Sequence, residues 1–480
     1  MWFVPLGTGV CMTKPNFQYD IKSSVVVFLV ALPLCLGIAL ASGAPLASGL
    51  IAGIIGGTVV GLFSNSHISV SGPAAGLTVI VASGITQLGG FEKFGLAIIM
   101  AGIIQILFGL MKGGAIGDYF PTAVIKGMLA AIGLILIINQ FPNALGLSKG
   151  DYSPSHIQWG ITLISVISIS IMLLWEKFAS RGVSFFKLVP GPLVAVIFSV
   201  VLNEVFHLID SAFLVKLPAA IFQDVRFPSF SGFTIDVLKI GLTIAVVASL
   251  ETLLCIDAAD KIDPLKRKTD KNKELVAQGL GNSLAGLLGG LPLTAVIVRT
   301  SANVAAGAKT KYSAVFHGCW LLLCVLFIPG LLNLIPLATL ASVLLLVGYK
   351  LTKPTFFLEM AKRGWDQLFV FCFTIGSILA TDLLKGIFAG LIVAILFELR
   401  KPSLTCYEVI NDNDDVHFKF TKNVSFLHKP LIVKQLQNSS QKKTIHIHGM
   451  ELVRVHVDVR EMIMDYHEEA KKNNLMVIFK

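Results

Sequence analysis

Two stretches place glycine, proline and polar residues inside apolar sequence, and both have the composition of a helix start. The first runs from Gly289 to Gly307 and contains Pro292 and Arg299. Proline suits a first helical turn, and the unpaired N–H groups of that turn can bind an anion, aided by the positive end of the helix dipole. The second, Ser71 to Thr78, passes from extended chain into a short helix at Pro73. We expect the two to face each other and form an anion site.

Two ionisable side chains lie within apolar segments, where charge is costly and usually serves a function. Arg299 can add positive potential to an anion site, or it can pair with Glu251 as a structural lock between helices. Glu251 can carry a proton or hold a cation. These two residues are therefore the first candidates for transport chemistry.

The composition is that of a helical membrane protein. Of 480 residues 54% are hydrophobic and 14% are charged, whereas soluble domains carry about 25% charged residues. The net charge of +10 does not indicate nucleic-acid binding, because the basic residues cluster in loops beside apolar runs. No nucleophile–base set, cofactor motif or metal-ligand pattern of cysteines is evident, so we expect neither an enzyme nor a metal protein.

Runs that approach the ~20 residues of a membrane span predict about fourteen spans over residues 25–401. Residues 1–24 form a polar lead, in which Met12 is a candidate for the natural start. Basic residues follow the even-numbered spans: Lys112; Lys177, Arg181 and Lys187; Lys261 to Lys273; Lys309 and Lys311; Lys350 to Arg363; Arg400 and Lys401. Both termini are therefore expected on the cytoplasmic side of the inner (cytoplasmic) membrane. The interrupted segments are spans 3 and 10, which predicts two inverted halves of seven spans.

Residues 402–480 change to the composition of a small cytoplasmic α/β unit, which is short for an independent domain. The predicted strands are Val416–Phe420, Thr444–His448, Leu452–Val457 and Leu475–Phe479, and the predicted helices are Val424–Leu436 and Val459–Asn473. The histidines of this region, among them His446 and His448, lack compact metal-ligand spacing, so no metal site is predicted.

The motifs resemble those of the SulP family of anion transporters, and the resemblance covers nearly the whole chain. It is carried by Ser71-Gly72-Pro73-Ala74-Ala75-Gly76, by Gly117 to Gly127, by Gly279 to Pro292 and by Arg299 to Asn303. It implies the fold of uracil permeases, with seven plus seven inverted repeats, a core domain and a gate domain. It also implies a homodimer in the lipid bilayer and identifies residues 402–480 as a short, divergent STAS-like domain.

The resemblance further implies that the anion lies between the helix starts of spans 3 and 10. The substrate-binding candidates are Ser69, Ser71, Gly72, Pro73, Ala74, Ala75, Ala295, Val296, Ile297 and Arg299. Backbone N–H groups can bind an anion whatever the side chain, so apolar Val296 is compatible with this role. Relatives often have Gly-Gly-Phe-Ser before the arginine, whereas this chain has the bulkier Ala295 to Val298, which leaves the substrate open.

The same resemblance places a coupling cation at Glu251. In bicarbonate-transporting relatives a hydroxyl follows this acidic position one turn later, but here that position is Cys255, a poor ligand for a hard cation. Thr252 or Thr294 could supply an oxygen instead. Coupling to Na⁺, coupling to H⁺ and no coupling all stay open.

The sequence therefore predicts secondary active transport of an inorganic anion, bicarbonate or sulfate, as a symport by elevator-type alternating access. One alternative is a nucleobase or organic dicarboxylate permease on the same fold. Another is an anion channel or regulator that acts through the STAS-like tail.

Overall fold

The structure is a computed structural model that describes residues 17–147, 153–181, 186, 189–218, 227–229, 233–399, 407–412, 415–421, 423–438, 444–450, 453–472 and 475–479. The candidate start Met12 and the first residues of the predicted tail, 402–406, lie outside the described residues.

Long apolar helices make up most of residues 17–399. They are α1 (Phe17–Ala41), α2 (Leu46–Phe63, with a π turn at Gly56–Val60), α3 (Ala75–Leu88), α4 (Phe91–Leu110), α5 (Thr122–Leu145), α6 (Trp159–Ser180), α7 (Gly191–Phe206), α8 (Ile235–Ile262), α9 (Lys271–Leu287), α10 (Ile297–Ala305), α11 (Tyr312–Phe327), α12 (Leu337–Leu351), α13 (Pro354–Arg363), α14 (Trp365–Ala380) and α15 (Leu383–Leu399). Two short strands precede α3 and α10, namely β1 (Ser71–Pro73) and β2 (Leu293–Ala295).

Six of the described helices, α1, α2, α4, α5, α6 and α8, are long and apolar enough to cross a membrane. A described helix lies in each of the fourteen predicted segments, although those in segments 3 and 10 are short and follow a strand. The helical character of the segments is therefore confirmed. That all of them cross the bilayer, and that they form inverted repeats, stays a prediction.

The described residues within 1–111 and 139–345 form one compact unit. Within it α4 and α9 approach closely, because glycines line both surfaces. A Cβ added at Gly102 would lie 2.5 Å from the carbonyl oxygen of Gly279, and one added at Gly286 would lie 2.7 Å from that of Gly95. Small residues allow such contact between helices in a membrane. This unit contains the helices of predicted spans 1–4 and of predicted spans 6–11. The division into a core domain and a gate domain stays a prediction.

Residues 112–138 and 346–480 form the second unit. It contains a four-stranded sheet in the order β3 (Tyr407–Asp412), β4 (Asp415–Phe420), β5 (Thr444–His448), β6 (Met476–Phe479). The first pair is antiparallel and the other two pairs are parallel, connected through α16 (Lys429–Asn438) and α17 (Val457–Lys472). Val416, Phe418, Ile445 and Ile447 lie in its core.

Most of the tail prediction is confirmed, with three exceptions. The predicted helix Val424–Leu436 starts too early, because Val424 makes a β-bridge and α16 begins only at Lys429. The predicted strand Leu452–Val457 is wrong over its described part. There Val455 makes a single bridge to Val424, and α17 already begins at Val457. Strand β3 was not predicted. It pairs antiparallel with β4, from Tyr407 opposite Phe420 to Asp412 opposite Asp415.

Helix α1 already includes Phe17, the first described residue, eight residues ahead of the predicted span start at Val25. In this part of α1, Asp20 is fully buried and accepts hydrogen bonds from the backbone N–H groups of Lys309 (2.9 Å) and Thr310 (3.0 Å) and from the Thr310 hydroxyl (2.5 Å). The end of the predicted polar lead is thus part of the packed unit and holds the chain that enters α11.

Replacing Asp20 with Asn should destabilise the protein by about 2 kcal/mol, because hydrogen bonds to a charged group contribute roughly 1.5–3 kcal/mol. The measurement is the apparent melting temperature of the purified protein in detergent. The matched control is Asp210→Asn, since Asp210 is exposed and makes no side-chain cap. Equal melting temperatures for the two variants would contradict this role for Asp20.

Candidate functional site

The two interrupted segments meet directly. Strands β1 and β2 pair antiparallel, with Ser71 opposite Ala295 and Gly72 opposite Thr294. Helix α3 starts just after β1, and α10 starts just after β2. The expectation that these segments face each other is therefore confirmed, and two helix starts lie at one crossing point.

The substrate-binding candidates all belong to this crossing or its immediate flanks. They occupy the approach to β1 (Ser69), β1 itself (Ser71, Gly72, Pro73), the entry to α3 (Ala74, Ala75), the end of β2 (Ala295), and the start of α10 (Val296, Ile297, Arg299). Some of their N–H groups are already used: Ala295 donates to the Thr252 hydroxyl at 3.3 Å, and Val296 donates to the carbonyl of Val70 at 3.0 Å. The N–H groups of the first turn of α10, which have no carbonyl partner within the helix, therefore start at Ile297.

Arg299 is fully buried and lacks a full set of partners. Its Nη2 donates to the thiol of Cys35 at 3.2 Å, while Nε and Nη1 have no hydrogen-bond partner among the described residues. Nη1 packs on Gly72, where an added Cβ would overlap it. A buried guanidinium with unpaired donors costs free energy, which an anion beside it would recover.

His317, which the sequence analysis missed, is also fully buried, and neither ring nitrogen has a partner among the described residues. It lies on α11, near enough to Arg299 for the guanidinium charge to act on its ring. A histidine in an apolar helix gave no spacing signal, so only the fold brings it to the site.

Glu251 lies on α8 against the first turn of α3. A Cβ added at Gly76 would lie 2.8 Å from Oε2 and 2.9 Å from Oε1 of this carboxylate. Oε2 has no hydrogen-bond partner among the described residues. The alternative pairing of Arg299 with Glu251 is wrong, because no ion pair joins these two described side chains. Arg299 and the Oε2 atom of Glu251 are buried, and neither side chain has an ion-pair partner among the residues that the structure describes.

The other candidates for a coupling cation have different contacts. Cys255 faces the backbone of Ile297 at the start of α10. The hydroxyl of Thr252 accepts from Ala295, and the hydroxyl of Thr294 donates to the carbonyl of Ala295 at 3.1 Å. Both threonine hydroxyls are thus engaged with the backbone at the end of β2.

One face of α9 is polar and buried, and it forms hydrogen bonds with β1 and β2. It consists of Glu274, Gln278 and Asn282, each fully buried and four residues apart, which places them on one side of the helix. Gln278 donates to the Ser71 hydroxyl at 2.6 Å and to Glu274 at 3.1 Å. The Ser64 hydroxyl donates to Glu274 at 2.5 Å.

Asn282 binds the backbone of β2 on both sides. Its Oδ1 accepts from the N–H of Leu293 at 2.7 Å, and its Nδ2 donates to the carbonyl of Leu293 at 3.0 Å and to Gln105 at 2.7 Å. Asn282 was noted only as part of a motif, while Gln278 and Gln105 were missed. The signal was present in the polar spacing of four within α9.

Comparison with known proteins identifies the family of the chain. The profile of the sulfate permease family matches residues 17–374. The chain belongs to this family. The matched region contains both interrupted segments, Glu251 and Arg299, and it makes the chain a transporter rather than an enzyme.

Curated relatives in the sulfate permease family carry two kinds of name. The proposed sulfate transporter YvdB of Bacillus subtilis is 31% identical over 405 residues, covering 81% of this chain and 74% of the relative. The bicarbonate transporter BicA of Picosynechococcus sp. is 30% identical over 436 residues, covering 83% of this chain and 74% of that protein.

A solved structure of the transmembrane domain of a cyanobacterial BicA matches 79% of this chain and 98% of its own, with a TM-score of 0.66 and 26% identity. The overall structure of SLC26A9 matches 96% of this chain and 84% of its own, with a TM-score of 0.70 and 15% identity, which shows the fold alone. The small sheet at the C-terminus is consistent with a STAS-like tail.

Replacing Asn282 with Ala should destabilise the protein by about 3 kcal/mol, because it removes the partner of the N–H of Leu293, of the carbonyl of Leu293 and of the side-chain oxygen of Gln105. Thermal unfolding of the purified protein in detergent measures this. The control is Asn139→Ala, since Asn139 is exposed on α5. A loss no larger than that of the control would refute the supporting role of Asn282.

Proposed function

We propose that this protein carries a small inorganic anion, bicarbonate or sulfate, across the cytoplasmic membrane together with a proton. The observation that carries the proposal is buried Arg299, whose Nε and Nη1 have no partner at the crossing of two helix starts. An anion there would meet the guanidinium and the N–H groups of the first turn of α10.

The residues around this point favour a compact anion over a nucleobase. Gly72, Ala295 and Val296 present backbone and small apolar groups, and none of these side chains can pair with the edge of a purine or pyrimidine. Two relatives, YvdB and BicA, are named for sulfate and bicarbonate, and this supports the same two anions here.

Glu251 is the proposed coupling group. A buried carboxylate without a counter-charge is costly, and either a proton or a cation would offset that cost. Sodium prefers several hard oxygen ligands, whereas the next candidate is the sulfur of Cys255 and the hydroxyls of Thr252 and Thr294 are engaged with the β2 backbone. These contacts favour a proton over Na⁺.

The proposed motion is of the elevator type. Strands β1 and β2, helices α3 and α10, Glu251 and Arg299 all belong to one compact unit. Anion and proton sites in one body would move together, which links binding to movement without a separate gate at each site. A homodimer with both termini in the cytoplasm completes the proposal.

The test is uptake of labelled bicarbonate and sulfate into proteoliposomes under a proton gradient, a sodium gradient or neither. We expect one of the two anions to accumulate under the proton gradient. Glu251→Gln should abolish accumulation while leaving exchange of the labelled anion, and Arg299→Gln should reduce all uptake at least about tenfold, the loss expected for one charge-assisted contact. Glu204→Gln and Arg181→Gln, which alter exposed residues, serve as controls.

Each other outcome points to a defined alternative. Accumulation driven by sodium would replace the proton with Na⁺ at Glu251. Flux that never exceeds its gradient would favour an anion channel, or a regulator that acts through the tail. Failure of both anions under every gradient would reject the substrate class, and labelled nucleobases and dicarboxylates would then be tried.

The contact between Gly76 and Glu251 gives a sharper test of coupling. Gly76→Ala should abolish proton-driven accumulation, because the new Cβ would lie 2.8 Å from Oε2 and displace the carboxylate. The same uptake assay measures this, with Gly376→Ala as the control, since a Cβ there meets nothing within 4 Å. Unchanged accumulation in Gly76→Ala would show that Glu251 does not need its place at the start of α3.

A further inference from the structure

The sheet of the tail brings three histidines together that lie far apart in sequence. His417 is on β4, and His446 and His448 are on β5. The parallel register places His417 beside His446. One nitrogen from each of the three rings can be chosen so that all lie within 4.8 Å of one another.

Strand geometry explains why these side chains share a face. Successive residues of a strand point to opposite sides, so His446 and His448 lie on the same side of β5. Ile445 and Ile447 occupy the other side and are buried in the core with Val416 and Phe418. The three imidazoles therefore lie on the face of the sheet that turns away from this core.

The rings are in direct contact. His417 Nδ1 and His448 Nε2 are 3.0 Å apart and share a hydrogen bond. The rings of His417 and His446 are nearly parallel, with centroids 4.5 Å apart and an interplanar angle of 9°. Two nitrogens bound to one tetrahedral Zn²⁺ lie about 3.3 Å apart, given Zn–N bonds of ~2.0 Å. A small shift of the rings would thus turn the hydrogen-bonded pair into two ligands.

The hydrogen bond between His417 and His448 does not account for His446. It is 8% exposed, and its Nδ1 is buried with no hydrogen-bond partner among the described residues. Its Nε2 lies 3.7 Å from Oδ2 of Asp415. A histidine that ligates a metal through one nitrogen commonly turns the other towards a carboxylate.

We propose that His417, His446 and His448 form a binding site for a divalent transition-metal cation of the zinc class, with Asp415 orienting His446. Three imidazole nitrogens suit Zn²⁺, Ni²⁺ or Cu²⁺ and leave a fourth position for water or an added ligand. The metal would fasten β4 to β5 and so stabilise the tail sheet.

The test uses the full-length protein, purified in detergent with a tag that contains no histidine and stripped of metal with a chelator. Titration calorimetry with Zn²⁺ and elemental analysis after gel filtration should give one metal per chain. Loss of a residue that only orients a metal ligand weakens metal binding roughly 10- to 100-fold. Removal of a ligand itself, in His446→Asn or His448→Asn, should therefore weaken binding by at least about tenfold. His467→Asn is the matched control, since His467 lies on α17 outside the cluster.

Titration with Co²⁺ distinguishes metal bound by the histidines from metal bound by cysteine thiolates. A site of nitrogen and oxygen ligands gives visible absorption without the intense near-ultraviolet band of a cobalt–thiolate bond. Gel filtration checks that each variant remains folded. Wild-type protein that binds no metal, a thiolate band, or variants that bind Zn²⁺ as tightly as wild type would each overturn the proposal. The binding measurement does not depend on which anion the protein carries.

Discussion

Backbone pairing between β1 and β2 is the interaction on which the rest of the described site depends. Three residues from each segment pair as short antiparallel strands at a point where the chain is neither helical nor exposed. Unpaired backbone groups at membrane depth would cost several kcal/mol each. Because the pairing is only three residues long, hydrogen bonds from α9 stabilise it. Asn282 binds the N–H and the carbonyl of Leu293, and Gln278 binds the hydroxyl of Ser71. The glycine contacts of α9 with α4 hold that helix in place.

The separation of Arg299 from Glu251 costs free energy that a direct ion pair would avoid. A direct pair between Arg299 and Glu251 would cancel two buried charges, yet the fold keeps them apart, one against Gly72 and the other against Gly76. Breaking a buried ion pair leaves an uncompensated charge worth several kcal/mol. In the proposed mechanism these two groups form a site that ligands complete. Their separation would let an anion and a proton bind independently and still influence the same compact unit.

Features encoded locally were predictable from the sequence. Apolar runs gave the helices, and glycine and proline within apolar sequence gave the two breaks, because both signals are read within a few residues. Contacts between distant segments were not predictable. Asp20 reads as part of a polar lead until the backbone of Lys309 and Thr310 is placed against it. The polar spacing of Glu274, Gln278 and Asn282 could have been recognised, but its target, the backbone of β2, could not.

In the sheet of the tail, too, the sequence predicted features within one strand but not the pairing between strands. His446 and His448 could be assigned to one face from the two-residue period alone, since their strand was predicted with its observed bounds. His417 joins them only through the parallel register of β4 and β5, which depends on how the intervening helix packs. Ligand spacing along a chain detects sites built within one loop or helix turn. A site built across strands has no such spacing, and the absence of a compact pattern is therefore weak evidence against a metal in any protein with a parallel sheet.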